Sequence, residues 1–165
     1  MRSFDWFFVL TLTILASALA LMPTASEATE PPFVWHSGND SLEFGIPETD
    51  ARYLRANCMA GSSTIELDFL MELKGVETND DIVLQVAAGK YRQGMTAKVA
   101  HYFGDGEYFY PVLTLSTDDS FWTAVIREQS LTLTTEASDP LSLSLKGSAA
   151  PVRAFLDACQ TAQKS

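Results

Sequence analysis

The chain has 165 residues, 11 of them Lys or Arg and 21 Asp or Glu, for a formal net charge of −10 at pH 7. So acidic a surface repels phosphate backbones and anionic lipid heads, and no Lys/Arg cluster offsets it, so nucleic acid is not expected as a partner. The two histidines and two cysteines stand in no Gly-x-Ser-x-Gly, Ser-x-x-Lys or His-Glu-x-x-His pattern, which argues against the common hydrolases and zinc peptidases.

Residues 1–28 read as an export signal. Arg2 opens a short polar start, Trp6 to Met22 is an almost unbroken apolar run, and Ala18-Leu19-Ala20 supplies the small residues a signal peptidase needs. Ser26-Glu27-Ala28 offers a second cleavage point. A retained anchor is the competing reading, because the run approaches the ~20 residues of a bilayer span. Thr11, Thr13 and Ser17 dilute it, however, and no basic cluster follows to stop transfer. Cleavage would leave a periplasmic or secreted protein without stable membrane insertion, a single β-rich domain over residues 29–165. Losing Arg2, Asp5 and Glu27 takes one base and two acids from the totals, so ten and nineteen remain and the net charge is about −9.

The first apolar cluster of that domain is Phe33 to His36, followed by a short strand over Ser41 to Gly45. Leu54, Ala56 and Cys58 alternate with Tyr53, Arg55 and Asn57, and Ile65, Leu67, Phe69 and Met71 alternate with Thr64, Glu66 and Asp68. This period of two marks half-buried strands, and the pair reads as a β-hairpin turned at Gly61-Ser62-Ser63, with Leu70 breaking the polar side. An acidic loop, Glu77 to Asp81, leads to a strand over Ile82 to Val86. Ala97, Val99, His101 and Phe103 then alternate with Thr96, Lys98, Ala100 and Tyr102 up to Asp105-Gly106, a type I′ hairpin signal. A two-residue loop there pairs Phe103 with Tyr108, Tyr102 with Phe109 and His101 with Tyr110. That register sets Leu113 and Leu115 on the wrong face for a core around Val99, so a bulge near Pro111 is expected.

Asp118-Asp119-Ser120 caps a helix predicted over Phe121 to Gln129. Leu131 and Leu133, then Leu141, Leu143 and Leu145, mark two strands joined around Asp139-Pro140. Ser148 is the expected N-terminal cap of a last helix with Pro151 in its first turn, and Val152, Phe155, Leu156 and Cys159 form one apolar stripe at i, i+3, i+4 and i+7. The expected fold is mainly β: an antiparallel sandwich or open barrel with one short helix and a C-terminal helix. Cys58 and Cys159 both face inward on these patterns. In an oxidising compartment they are expected to bond, stapling helix to sheet; redox-active thiols are the alternative, but neither cysteine has a Cys-x-x-Cys partner or an inward-facing cation nearby in sequence.

No catalytic residue, cofactor or metal is expected. His101 lies within strand alternation and reads as a packing residue, and Asp80-Asp81 and Asp118-Asp119 read as loop and cap carboxylates. Recognition is the open role. Tyr91, Tyr102, Phe103, Tyr108, Phe109, Tyr110 and Trp122 crowd one stretch, and the hairpin carries aromatics on both faces. One face enters the core; the other is either covered by the Phe121–Gln129 helix or exposed to a protein or sugar. Tyr102 and Phe109 are the candidate contacts.

Asn57-Cys58 after Tyr53-Leu54, with Leu145-Lys146-Gly147-Ser148 running into Phe155-Leu156-Asp157-Ala158-Cys159, resembles small exported proteobacterial β-proteins of the invasion-associated locus B type or the type VI secretion-associated periplasmic type. That resemblance implies a non-enzymatic accessory or binding protein of the cell envelope, its partner a protein or another envelope component. Tyr53 to Cys58, Ala88-Gly89-Lys90-Tyr91 and Phe121-Trp122 are similar in order to inhibitors of c-type lysozyme. The resemblance implies a contact role for Lys90 and Tyr91, although the serine before the glycine of that family's loop is missing and the spacing is one residue short.

Overall fold

A computed structural model describes residues 32–38, 40–59, 62–104 and 106–162. The signal over residues 1–28, with its cleavage points at Ala20 and Ala28, lies outside the described residues, as do Asp105 and Gly61. Among the described residues nine strands form one antiparallel sheet: β1 Val34–Ser37, β2 Ser41–Gly45, β3 Arg52–Cys58, β4 Thr64–Phe69, β5 Asp81–Ala88, β6 Tyr91–Gly104, β7 Gly106–Ser116, β8 Ser130–Thr135 and β9 Ser138–Ser144. Helix α1 spans Ser120–Arg127 and α2 Ala149–Ala162. The spatial order is β1-β2-β3-β4-β7-β6-β5-β8-β9, and the sheet curls into a half-barrel, the open-barrel form of the expected fold.

Alternation explains the curl's interior. Leu42 and Phe44, Leu54 and Ala56, Ile65, Leu67 and Phe69, Leu84 and Val86, Leu113 and Leu115, and Leu131 and Leu133 all point inward and are buried in one cluster. The order requires two crossovers. The chain from β4 to β5 passes the ends of β7 and β6, where Leu73 N–H donates to Phe109 O and Asn79 N–H to Val99 O, both at 2.8 Å. The chain from β7 to β8 crosses β6 and β5, and α1 makes that crossing with Phe121, Trp122, Ala124 and Val125 buried. Asp119 caps it, its carboxylate accepting from Phe121 N–H at 2.7 Å.

A half-barrel leaves two sheet edges, β1 and β9, with unpaired backbone groups. Here they are drawn together: the Trp35 indole N–H on β1 donates to Ser144 O on β9 at 2.8 Å. Helix α2 packs on α1, β1 and β2, burying Val152, Phe155 and Cys159. Cys58 and Cys159 are bonded, with Cα atoms 5.6 Å apart at a sequence separation of 101. Among the described residues no helix is long and apolar enough to cross a membrane.

Three expectations are corrected. The β6–β7 register is one residue off the turn-based one: Phe103 pairs with Glu107, Tyr102 with Tyr108, His101 with Phe109 and Val99 with Pro111, with no bulge near Pro111. Shifting the register by one flips a strand's whole inward set, and this register keeps Leu113 and Leu115 inside; burying the core outweighs the turn preference. The β8–β9 turn lies at Glu136 and Ala137, and Asp139 and Pro140 belong to β9. An edge strand tolerates a proline that cannot donate to the ladder. Ser148 does start α2 with its backbone, Val152 N–H donating to Ser148 O at 2.9 Å. Its hydroxyl, however, donates to Val125 O at 2.6 Å, tying α2 to the end of α1.

Candidate functional site

Strands β6 and β7 outrun their neighbours. β4 pairs with β7 only over Val112 to Ser116, and β5 with β6 only over Tyr91 to Lys98. The stretch from Ala100 to Tyr110 is a two-stranded ribbon, held on its flanks by Leu73 and Asn79, with each strand's side chains alternating between its two faces. On the concave side His101 lies 3.9 Å from Phe103 and 4.6 Å from Phe109 between ring centroids. Phe103 is 76% exposed. His101 thus stacks on Phe109, planes 22° apart, and meets Phe103 at a tilt of 52°.

The convex side carries Tyr102, Tyr108 and Tyr110. Tyr102 and Tyr108 sit opposite one another, rings 5.0 Å apart and tilted by 32°, and Tyr110 follows Tyr108 at 6.0 Å. Helix α1 covers neither of these faces at the tip; its Trp122 packs on Phe155 and its Phe121 on Tyr91, inside the half-barrel. Tyr102 and Phe109, paired as candidates, therefore occupy opposite faces of the ribbon, because their registers differ by one residue. Lys90 is exposed in the β5–β6 turn. Tyr91 is not free: its ring meets Phe121 edge-on at 6.3 Å and its hydroxyl donates to Gln93 Oε1 at 2.9 Å. Burial, then the Asp119 charge, push its phenol up to about 12.

Against the three tyrosines the outer face of β3 and β4 brings charged groups. The register sets Arg55 beside Asp68, and Asp68 beside Val112 of β7. A register shift at Phe44/Gly45 pairs Gly45 with Arg52 and swings the Arg52 side chain to the outer face, where it meets Glu43 at 2.8 Å. Glu43 also faces His36 at 3.4 Å and Arg55 at 4.0 Å. Together Arg52, Arg55, Asp68 and the three tyrosines, with Asp50 and Leu70, line an open cavity of about 270 Å³.

Asp68 stands out in that cavity. It is only 8% exposed, and its Oδ1 is buried without a hydrogen-bond partner. Burial first, then the negative charge of Glu66, raise its carboxyl to about 6, with Arg55 and Arg52 working against the rise. Tyr108 and Tyr110 are also shifted upward, chiefly by burial. A wider depression of about 750 Å³ lies between Lys74, Val83 and Thr135, but neither of the two buried unpartnered side-chain atoms found among the described residues, His36 Nδ1 and Asp68 Oδ1, borders it. Among the described residues no three His, Cys, Asp or Glu side chains gather as a metal site.

Sequence reasoning missed Asp68, Arg52 and Arg55. Asp68 reads in sequence as the polar member of an alternating strand, and only the ladder with β3 and β7 covers it. One signal was present: Leu70, just past the end of β4 on the polar side of its alternation, marks a convex face that is not simply solvated. No family model, no curated protein and no solved structure matches the chain.

Proposed function

We propose that the protein is an exported, non-enzymatic binding protein of the bacterial cell envelope whose partner is a basic protein, gripped by the tip of the β6–β7 ribbon. The observation that carries this reading is Phe103, a large apolar ring 76% exposed at the end of the ribbon in an acidic setting: Glu72 and Glu107 border a shallow cavity beside Tyr108, and Glu77, Asp80 and Asp81 stand on the adjoining crossover and β5. An exposed aromatic anchor supplies burial, and surrounding carboxylates speed encounter with a cationic surface. A disulfide that staples helix to sheet suits an oxidising compartment. The narrower reading, inhibition of a c-type lysozyme, has only Lys90 free of the two residues that resemblance implies.

A c-type lysozyme is nevertheless the defined basic probe, alongside the basic proteins that crosslink to the tagged protein in periplasmic extract. Phe103→Ser should weaken capture of such a partner by about tenfold or more, while Glu72→Gln with Glu107→Gln should mainly slow association and flatten its salt dependence. Capture that survives Phe103→Ser in a folded protein, or partners that are all acidic, would overturn the reading.

A further inference from the structure

We propose that the cavity on the convex face, floored by Asp68 and walled by Arg52, Arg55 and Tyr102, is a binding site for a single neutral sugar ring of an envelope glycan. It lies on the side of the ribbon opposite to Phe103 and shares only Leu70 and Tyr108 with the acidic depression near the tip.

The charges around the cavity select against ions. Arg52, Arg55, Asp68 and Asp50 all line it, with Glu43 paired to Arg52 and Glu66 two residues from Asp68 on the same face. An anion would meet these carboxylates and a cation would meet two guanidinium groups.

A neutral ligand that both donates and accepts fits each group. Asp68 lines the cavity and its buried Oδ1 has no hydrogen-bond partner; an unmade bond to a buried acceptor costs about 1–3 kcal/mol, so an O–H or N–H brought to this carboxyl is favoured. The arginines hold guanidinium N–H groups beyond those used on Glu43 and Asn57, a fork that donates to neighbouring oxygens. Adjacent hydroxyls of a pyranose offer a donor to the one and acceptors to the other. Tyr102, 42% exposed, presents an apolar surface with a polar tip, to which the C–H face of the ring can pack. At about 270 Å³ the cavity is just below the ~300–1,000 Å³ of drug-sized pockets, which suits one ring and not an extended chain.

The test is a titration of protein purified from cells making the full-length chain, with methyl β-glucopyranoside and N-acetylglucosamine as probes and acetate and tetramethylammonium as charged controls. The readout is the Asp68 carboxyl and Tyr102 ring resonances. At least one sugar should shift both in a saturable way with a Kd of about 1 mM or tighter. Tyr102→Ala and Arg55→Gln, both at exposed side chains whose loss leaves the core intact, should each weaken that binding about fivefold or more. No saturable sugar shift, stronger shifts from acetate or tetramethylammonium, or sugar binding unchanged in both variants would each overturn the proposal.

Discussion

Replacing Asp68 by Asn should stabilise the protein at neutral pH and change little near pH 4. In the folded state burial holds the carboxyl at about 6, against an ordinary value of 3.8. Between those two values the folded protein binds more protons than the unfolded chain. Stability attributable to this group is therefore highest below about pH 4, falls as the pH rises through the window, and is lowest above about 6. A gap of about two pH units at ~1.4 kcal/mol each sets a ceiling of ~3 kcal/mol. The cavity is open to water, and that screening lowers the expected penalty to ~1–2 kcal/mol. Asn keeps the shape without the charge. Urea denaturation of wild type and Asp68→Asn, followed by fluorescence of the buried Trp35 and Trp122, should give a difference of ~1–2 kcal/mol in favour of the variant at about pH 7.5, shrinking toward zero at about pH 4. A difference that does not change with pH, or a variant less stable at pH 7.5, would refute the reasoning, because either result means that Asp68 is paired or solvated.

Removing the disulfide with Cys58→Ala and Cys159→Ala should lower stability by ~4–5 kcal/mol on the chain-entropy account, given a sequence separation of 101 between the cysteines; denaturation curves of the two proteins measure it, and a loss under ~1 kcal/mol would mean that the unfolded chain is already constrained. Ser148→Ala leaves Val125 O at the end of α1 without its 2.6 Å donor, which should cost ~1–3 kcal/mol. A thermal melt should register the loss, with far-UV circular dichroism of the folded state unchanged.

Local chemistry was enough to read most elements. The alternation in Leu54-Ala56-Cys58 and Ile65-Leu67-Phe69 is a property of neighbouring residues, and any half-buried strand must show it. The i, i+3, i+4, i+7 stripe of α2 is equally local, and it located Cys159 on the buried side; with Cys58 on the inward face of β3, the pairing followed. The turn at Asp105-Gly106 misled for the converse reason: a turn preference is weak beside the burial of Leu113 and Leu115, which acts along the whole length of β7.

The sequence by itself thus determined a mainly β chain with two amphipathic helices, a basic-poor surface and a helix-to-sheet disulfide, because each follows from side chains a few residues apart. The tertiary structure alone decided which strands are neighbours, and with that everything about the candidate site. Arg52 reaches the outer face only through the irregularity between β2 and β3. Asp68 is buried where β3 and β7 flank it, and the tyrosines of the β6–β7 ribbon line the same cavity. Those residues are separated by tens of positions in the chain, and no local pattern encodes their meeting; it is set by the one register that puts every inward side chain into the core at once.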